Sequence, residues 1–172
     1  MGKFPMALKS PHILQASSNT RKMLENLRHI LDTAACDAIQ QELDKNVKAL
    51  FSLGEEHFQF AKQTPKKLWR QRISRLYYGV YNVRRSVELH YDGIYRTDTS
   101  DHKNMHNIPD TFPNKDKYKI QLVTLRDDRN LADYSHDASE TDLILTQDDA
   151  ETLVADFIND ASHFLDNRGV KI

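Results

Sequence analysis

Apolar residues recur at intervals of three and four along most of the chain, the spacing that places side chains on one face of an α-helix. In the first such stretch, Met23, Leu24, Leu27, Ile30 and Leu31 follow Asn19 and Thr20, either of which can cap a helix start. A second stripe, Ile39, Leu43, Val47, Leu50, Phe58 and Ala61, predicts a helix over 36–63 that Pro65 ends. Gly54 interrupts it at a cost of about 1 kcal/mol relative to Ala. The third helix, over 66–91, carries Trp69, Ile73, Leu76, Val80, Val83 and Val87, and Tyr77 and Tyr81 widen that face. So broad an apolar face belongs at the centre of a bundle. Gly79 would let a neighbouring backbone approach, and Gly93 is a C-terminal stop.

The stretch 92–115 breaks the periodicity. It is polar and punctuated by Pro109 and Pro113, and a loop of that length in a small domain is usually functional or partly mobile. Helical spacing returns over 116–137. A last helix starts at the Thr146 cap, with Asp148, Asp149 and Glu151 in its positive first turn, and Gly169 closes it. The expected fold is all-α: an antiparallel four-helix bundle over 36–168, an N-terminal arm and extra helix over 1–35, and a short tail over 169–172. The segment before Thr146 could be briefly extended, but no sheet is expected.

Composition narrows the partners. The 172 residues suit one domain, and a formal net charge of −1 excludes a strongly cationic nucleic-acid coat. A local basic site is still open, because folding can cluster charge. With one cysteine, Cys36, no internal disulfide is possible. No apolar run is long enough for a membrane span and the start lacks a secretory h-region, so the expectation is a cytoplasmic protein with no membrane partner.

Chemistry concentrates in "RNLADYSH", residues 129–136. If the helix runs through 137, Tyr118, Leu122, Leu125, Arg129, Ala132 and His136 share one stripe. Arg129 and His136 then stand about 10 Å apart along the axis, and Asp133 can reach either. Arginine's planar fork matches phosphate oxygens, and histidine exchanges a proton near neutral pH. RNA supplies its own nucleophile in the 2′-hydroxyl, so these two groups suit phosphodiester cleavage. Their separation is awkward for one phosphate, which suggests a two-fold dimer in which one chain's Arg meets the other's His. The same residues also fit a plain i,i+4 ion pair of Arg129 with Asp133 and a histidine at a helix C-terminus.

Other features are less specific. Arg70, Arg72, Arg75, Arg84 and Arg85 make the third helix basic; they could contact phosphates or pair with acidic helices. Tyr77, Tyr78 and Tyr81 could stack bases or fill the core. His102 and His106 stand at i,i+4, a spacing that can hold zinc on a helix, but the segment lacks a helical pattern and a nearby cysteine. No glycine-rich phosphate loop or other cofactor motif is present, and no cofactor is expected.

Arg129 and Asn130, followed after five more residues by His136, resemble the Arg-x4–6-His motif of the HEPN superfamily of helical-bundle domains. "SRLYYGVYNVRRSVEL" is similar to the second bundle helix of that group, "DHKNMHNIPDTFP" to its histidine-containing loop, and "LTQDDAETLVADFINDASHFL" to its last helix. The resemblance spans roughly 36–168. It implies a metal-independent endoribonuclease, a toxin or phage-defence effector, leaving 2′,3′-cyclic phosphate ends on tRNA or mRNA. The site would be composite, at a homodimer interface, with Arg129 and His136 catalytic, Asn130 assisting, and Asp133 and Tyr134 supporting. His102, by its place in the family-like loop, would contact RNA, and from the residues alone Arg75 on the helix flank and Tyr78 beside it are the further candidates for RNA contact. A nucleotidyltransferase antitoxin or another defence protein would be a partner. Arg129, Ala132, Asp133 and Tyr134 also match the Arg-x-x-Ala-Asp-Tyr pattern of one branch, many of whose members have no known activity. Other members of the superfamily are non-catalytic and bind nucleotides or proteins, so the resemblance also allows a non-catalytic module that binds a protein partner or nucleotide.

Overall fold

The computed structural model describes residues 12–97 and 99–172. Among them are six α-helices and no strand: α1 (His12–Gln15), α2 (Thr20–Leu27), α3 (Thr33–Gln63), α4 (Trp69–Asp92), α5 (Lys115–Tyr134) and α6 (Gln147–Asp166). Two 3-10 turns lie in the connections, Thr99–Asn104 and Glu140–Asp142. The all-helical expectation holds.

Helix α4 is the centre of the bundle, packing on α3, α5 and α6. Ile73, Leu76, Tyr77, Val80 and Val83 are wholly buried on it. Against α3 the contact is close because two glycines face each other. A Cβ at Gly54 would stand 2.5 Å from Val83 Cγ2 and 2.7 Å from the Gly79 carbonyl oxygen. The helix-propensity cost of Gly54 therefore accompanies a tight interhelical approach, which the sequence suggested for Gly79 only.

Helix ends follow the side chains that satisfy them. Asn19 Oδ1 accepts from Lys22 N (2.9 Å), Asp32 Oδ1 from Ala35 N (2.8 Å), and Thr146 Oγ1 from Asp149 N (3.1 Å). The Asp32 cap starts α3 at Thr33 rather than 36. Gly93 ends α4 in the left-handed region at φ 68°. Its carbonyl accepts from Thr20 N (2.7 Å), docking α2 on the end of α4. Pro65 and Leu68 close a turn, so α4 begins at Trp69 rather than 66.

Two boundaries differ in ways that matter. The first predicted helix stops at Leu27, leaving Ile30 and Leu31 76% and 40% exposed, so its apolar face is shorter than the periodicity suggested. Helix α5 stops at Tyr134 instead of running through 137. Its stop comes from a distant residue. Arg70 Nη1 donates to the Ala132 carbonyl (2.7 Å), and Nη2 to Ala138 (2.6 Å) and His136 (3.5 Å). One guanidinium thus satisfies C-terminal carbonyls that further helix would otherwise have used. Asp128 Oδ1 and Oδ2 accept from Ile144 N and Leu145 N (2.8 and 2.9 Å), tying the returning chain to α5. Residues 12–15 of the predicted arm are helical, with Leu14 buried; its first residues, 1–11, lie outside the described residues.

Candidate functional site

The last two turns of α5 bring Arg129, Asn130, Asp133 and Tyr134 together, because residues one, four and five apart meet around one arginine. Arg129 Nη2 donates to Tyr78 Oη across the interface with α4 (2.7 Å), and Nη1 donates to Asn130 Oδ1 (3.2 Å) and Tyr134 Oη (3.5 Å). Nε lies 2.7 Å from Asp133 Oδ2. The guanidinium carbon stands 5.6, 5.3 and 5.3 Å from the ring centres of Tyr77, Tyr78 and Tyr134. Cation–π attraction from three rings adds to one carboxylate. The side chain is 12% exposed, held in one place yet still reachable. Asp133 and the tyrosines hold its pKa above the ordinary arginine value, against the opposing effect of burial.

Beside Arg129 opens a cleft of about 530 Å³, lined by Tyr77, His102, Lys103, Arg126, Arg129 and Asn130. Three of the six, Lys103, Arg126 and Arg129, are cationic, so the cleft attracts anions. His102 arrives from the 3-10 turn. It stacks on Tyr81 (ring centres 4.5 Å apart, 19° between planes), and its Nδ1 is 2.6 Å from Tyr77 Oη. Burial, then the nearby Arg129, lowers the His102 pKa below the usual histidine value. Burial raises that of Tyr77 well above the usual phenol.

The turn carrying His102 is pinned by the residue before it. Asp101, fully buried, accepts at both carboxylate oxygens from one guanidinium nitrogen, Arg84 Nη2 to Oδ1 and Oδ2 (2.9 and 3.0 Å), and from Tyr81 Oη (3.0 Å). Arg84 Nη1 also donates to Glu88 (3.0 Å), and Glu88 receives Arg96. Burial, with Asp101 beside it, pushes the Tyr81 phenol up to about 12.

His136 is placed differently from the sequence expectation. Helix α5 has ended two residues earlier, and the side chain is exposed in the following turn. The shared helical stripe of Arg129 and His136 does not form, and His136 does not line the Arg129 cleft. Arg75 also stands apart: it is exposed, with Nη1 3.2 Å from His57 Nδ1 and its guanidinium over Phe60. It connects to the site through His57, whose ring is 5.7 Å from that of Tyr78. The remaining arginines of α4 are engaged internally. Arg70 caps α5, Arg72 pairs with Glu151, and Arg84 and Arg85 with Asp101.

His106 is exposed, and no group of three His, Cys, Asp or Glu fit to hold a metal occurs among the described residues, so the His102–His106 zinc alternative is not assembled. Sequence reasoning missed Arg126, Lys103 and the hydrogen-bonding role of Tyr77. Arg126 was accessible, since it precedes Arg129 by three and shares its face of the helix.

No protein-family model, curated protein or solved structure matches the chain.

Proposed function

We propose that this chain is a metal-independent endoribonuclease, of the HEPN type that its Arg129–His136 segment resembles, acting as a homodimer in a toxin or defence role. The observation that carries the reading is the Arg129 guanidinium, fixed by Tyr78 on the wall of a basic cleft that also holds Asn130 and an imidazole. Arg129 would hold the scissile phosphate and stabilise the charge added in the transition state, with Asn130 contributing a second donor. Asp133 and Tyr134 orient the guanidinium. Tyr78 would serve the site by holding Arg129 rather than by stacking a base. In a composite site, the second copy's His136, exposed at the end of α5, would enter the cleft. Arg75, exposed beyond His57, would take a neighbouring phosphate.

The exposure of His136 away from its own cleft favours a second reading, a non-catalytic module whose basic cleft binds a nucleotide or an acidic partner such as an antitoxin.

The test is cleavage of tRNA and total RNA in excess EDTA by wild type and Arg129→Ala. The ribonuclease reading expects 2′,3′-cyclic phosphate ends from the wild type and none from the folded variant. Intact RNA after incubation with folded, dimeric wild type would transfer the cleft to the binding-module reading.

A further inference from the structure

The described hydrogen bonds place the Nδ1 of His102 against Tyr77 and leave its Nε2 without a partner, on a ring that lines the same cleft as Arg129. A histidine lodged in a surface loop by chance would not need this support. Here the preceding residue is locked into a buried ion network, the ring is stacked on Tyr81, and one nitrogen is held by a phenol. The phenol of Tyr77 stays protonated at neutral pH and can turn its hydroxyl to suit either imidazole tautomer. The ring is therefore oriented before any ligand arrives, which is what a proton-transfer group requires.

Charged and titratable groups surround the ring on every element packed against it. On α4 they are Tyr77, Tyr78, Tyr81, Arg84 and Arg85; on the 3-10 turn, Asp101 and Lys103; on α5, Arg126 and Arg129. Burial acts first and Arg129 second, both against protonation, and Asp101, which favours protonation, is already matched by Arg84. A phosphate held by Arg129 would reverse part of that balance and stabilise the imidazolium as it forms.

We infer that His102 is the proton-transfer residue of the Arg129 cleft, so that a single chain carries both the phosphate-holding and the proton-accepting group. The inference rests on the ribonuclease reading and changes the residue that carries it out. In the step, Nε2 takes the proton of a ribose 2′-hydroxyl. The 2′-oxygen bonds to phosphorus while the bond from phosphorus to the 5′-oxygen breaks. The departing oxygen takes a proton from water, and His102 returns its own to the hydroxide left behind. The products are a 2′,3′-cyclic phosphate and a 5′-hydroxyl, with no net water consumed.

The experiment compares tRNA cleavage in EDTA by full-length wild type, His102→Asn and Tyr77→Phe, each checked for folding by circular dichroism. His102→Asn should lose about 100-fold or more in rate, the ordinary contribution of a positioned acid or base. Tyr77→Phe should move the acid limb of the pH–rate profile, which a purely structural contact would not. A wild type that cleaves while His102→Asn cleaves equally well overturns the assignment and leaves the ribonuclease reading standing. A wild type that cleaves nothing removes both. A second measurement does not depend on turnover: the His102 Cε1–H NMR titration should move to higher pH when 3′-uridine monophosphate is added, and this shift should vanish in Arg129→Ala. A titration unmoved by the nucleotide would take His102 away from the phosphate.

Discussion

Arg84 and Arg129 both lie against the tyrosines of α4, one beneath the surface and one at it. Arg84 is 1% exposed and divides its donors between two carboxylates, Asp101 and Glu88, which are themselves buried. Its guanidinium carbon is 5.8 Å from the Tyr81 ring centre. Arg129 has one carboxylate, Asp133, and makes up the remainder with the phenols and faces of Tyr77, Tyr78 and Tyr134. Phenols fix a guanidinium without cancelling its charge. A cation matched by carboxylates on every side holds a fold together, whereas one oriented largely by neutral groups and open to a cleft keeps its attraction for an anion. The two arginines are also in series: Arg84 fixes Asp101, and Asp101 fixes the turn that delivers His102 to Arg129's cleft.

The sharpest separation should come from stability. Arg84→Met leaves Asp101 and Glu88 buried with less than their full complement of positive charge, and should cost about 3–5 kcal/mol in urea unfolding. Arg129→Met should cost only about 1 kcal/mol, because Asp133 and Tyr134 reach solvent once released. Equal losses would make Arg129 a second structural arginine and remove the basis of the comparison.

Next in size is the effect of Tyr78→Phe. It deletes the 2.7 Å acceptor that fixes Nη2 but keeps the aromatic face. RNA cleavage should fall about tenfold, the kinetic equivalent of about 1.4 kcal/mol, while thermal stability changes by less than about 1 kcal/mol. A variant with full activity would mean that the rings alone orient Arg129.

Smaller, and opposite in sign, is Asp133→Asn. Removing the one carboxylate on Arg129 should raise phosphate affinity, measured by calorimetry with 3′-uridine monophosphate, by about fivefold at low salt, since an exposed charge pair at contact is worth about 1 kcal/mol. The gain should shrink in 0.5 M salt, about which screening is strong. Weaker binding by the variant would show that Asp133 matters more for aiming the guanidinium than for offsetting its charge.

The parts of this arrangement legible in the sequence are those made within one turn. The caps at Asn19 and Thr146, the Gly93 stop and the grouping of Arg129 with Asn130, Asp133 and Tyr134 all follow from local spacing. The end of α5 was not legible, because Ser135 and His136 contain no breaker and the stop is a guanidinium from Arg70 on another helix. That one contact undoes the helical stripe on which the Arg129–His136 pairing rested. His102 was visible as a residue of interest, but its tie to Tyr77 depends on a buried carboxylate meeting Arg84 across the fold, which no periodicity reports.

The smallest expected effect is on the pH dependence of stability, and it addresses the same two arginines. His102 titrates below the ordinary histidine range, first through burial and then through Arg129; His57 does so through burial and then Arg75, and His90 through burial foremost. Each is therefore protonated more readily in the unfolded chain than in the fold. The stability that neutral histidine contributes is complete above the unfolded value near 6.5 and is lost as pH falls through the lower folded values. Between pH 7.5 and 5.5, above the range where carboxylates titrate, the melting temperature should decline by about a few degrees. His102→Asn should flatten that decline, and so should Arg129→Met, which removes the charge opposing protonation. Arg84→Met, for all its cost in total stability, should flatten it less, because Arg84 acts on His102 more weakly than Arg129 does and its charge is already engaged by Asp101 and Glu88. Melting curves that decline in parallel for wild type and His102→Asn would place the pH sensitivity at His57 and His90 instead, and would show that Arg129 does not press on the imidazole across the cleft.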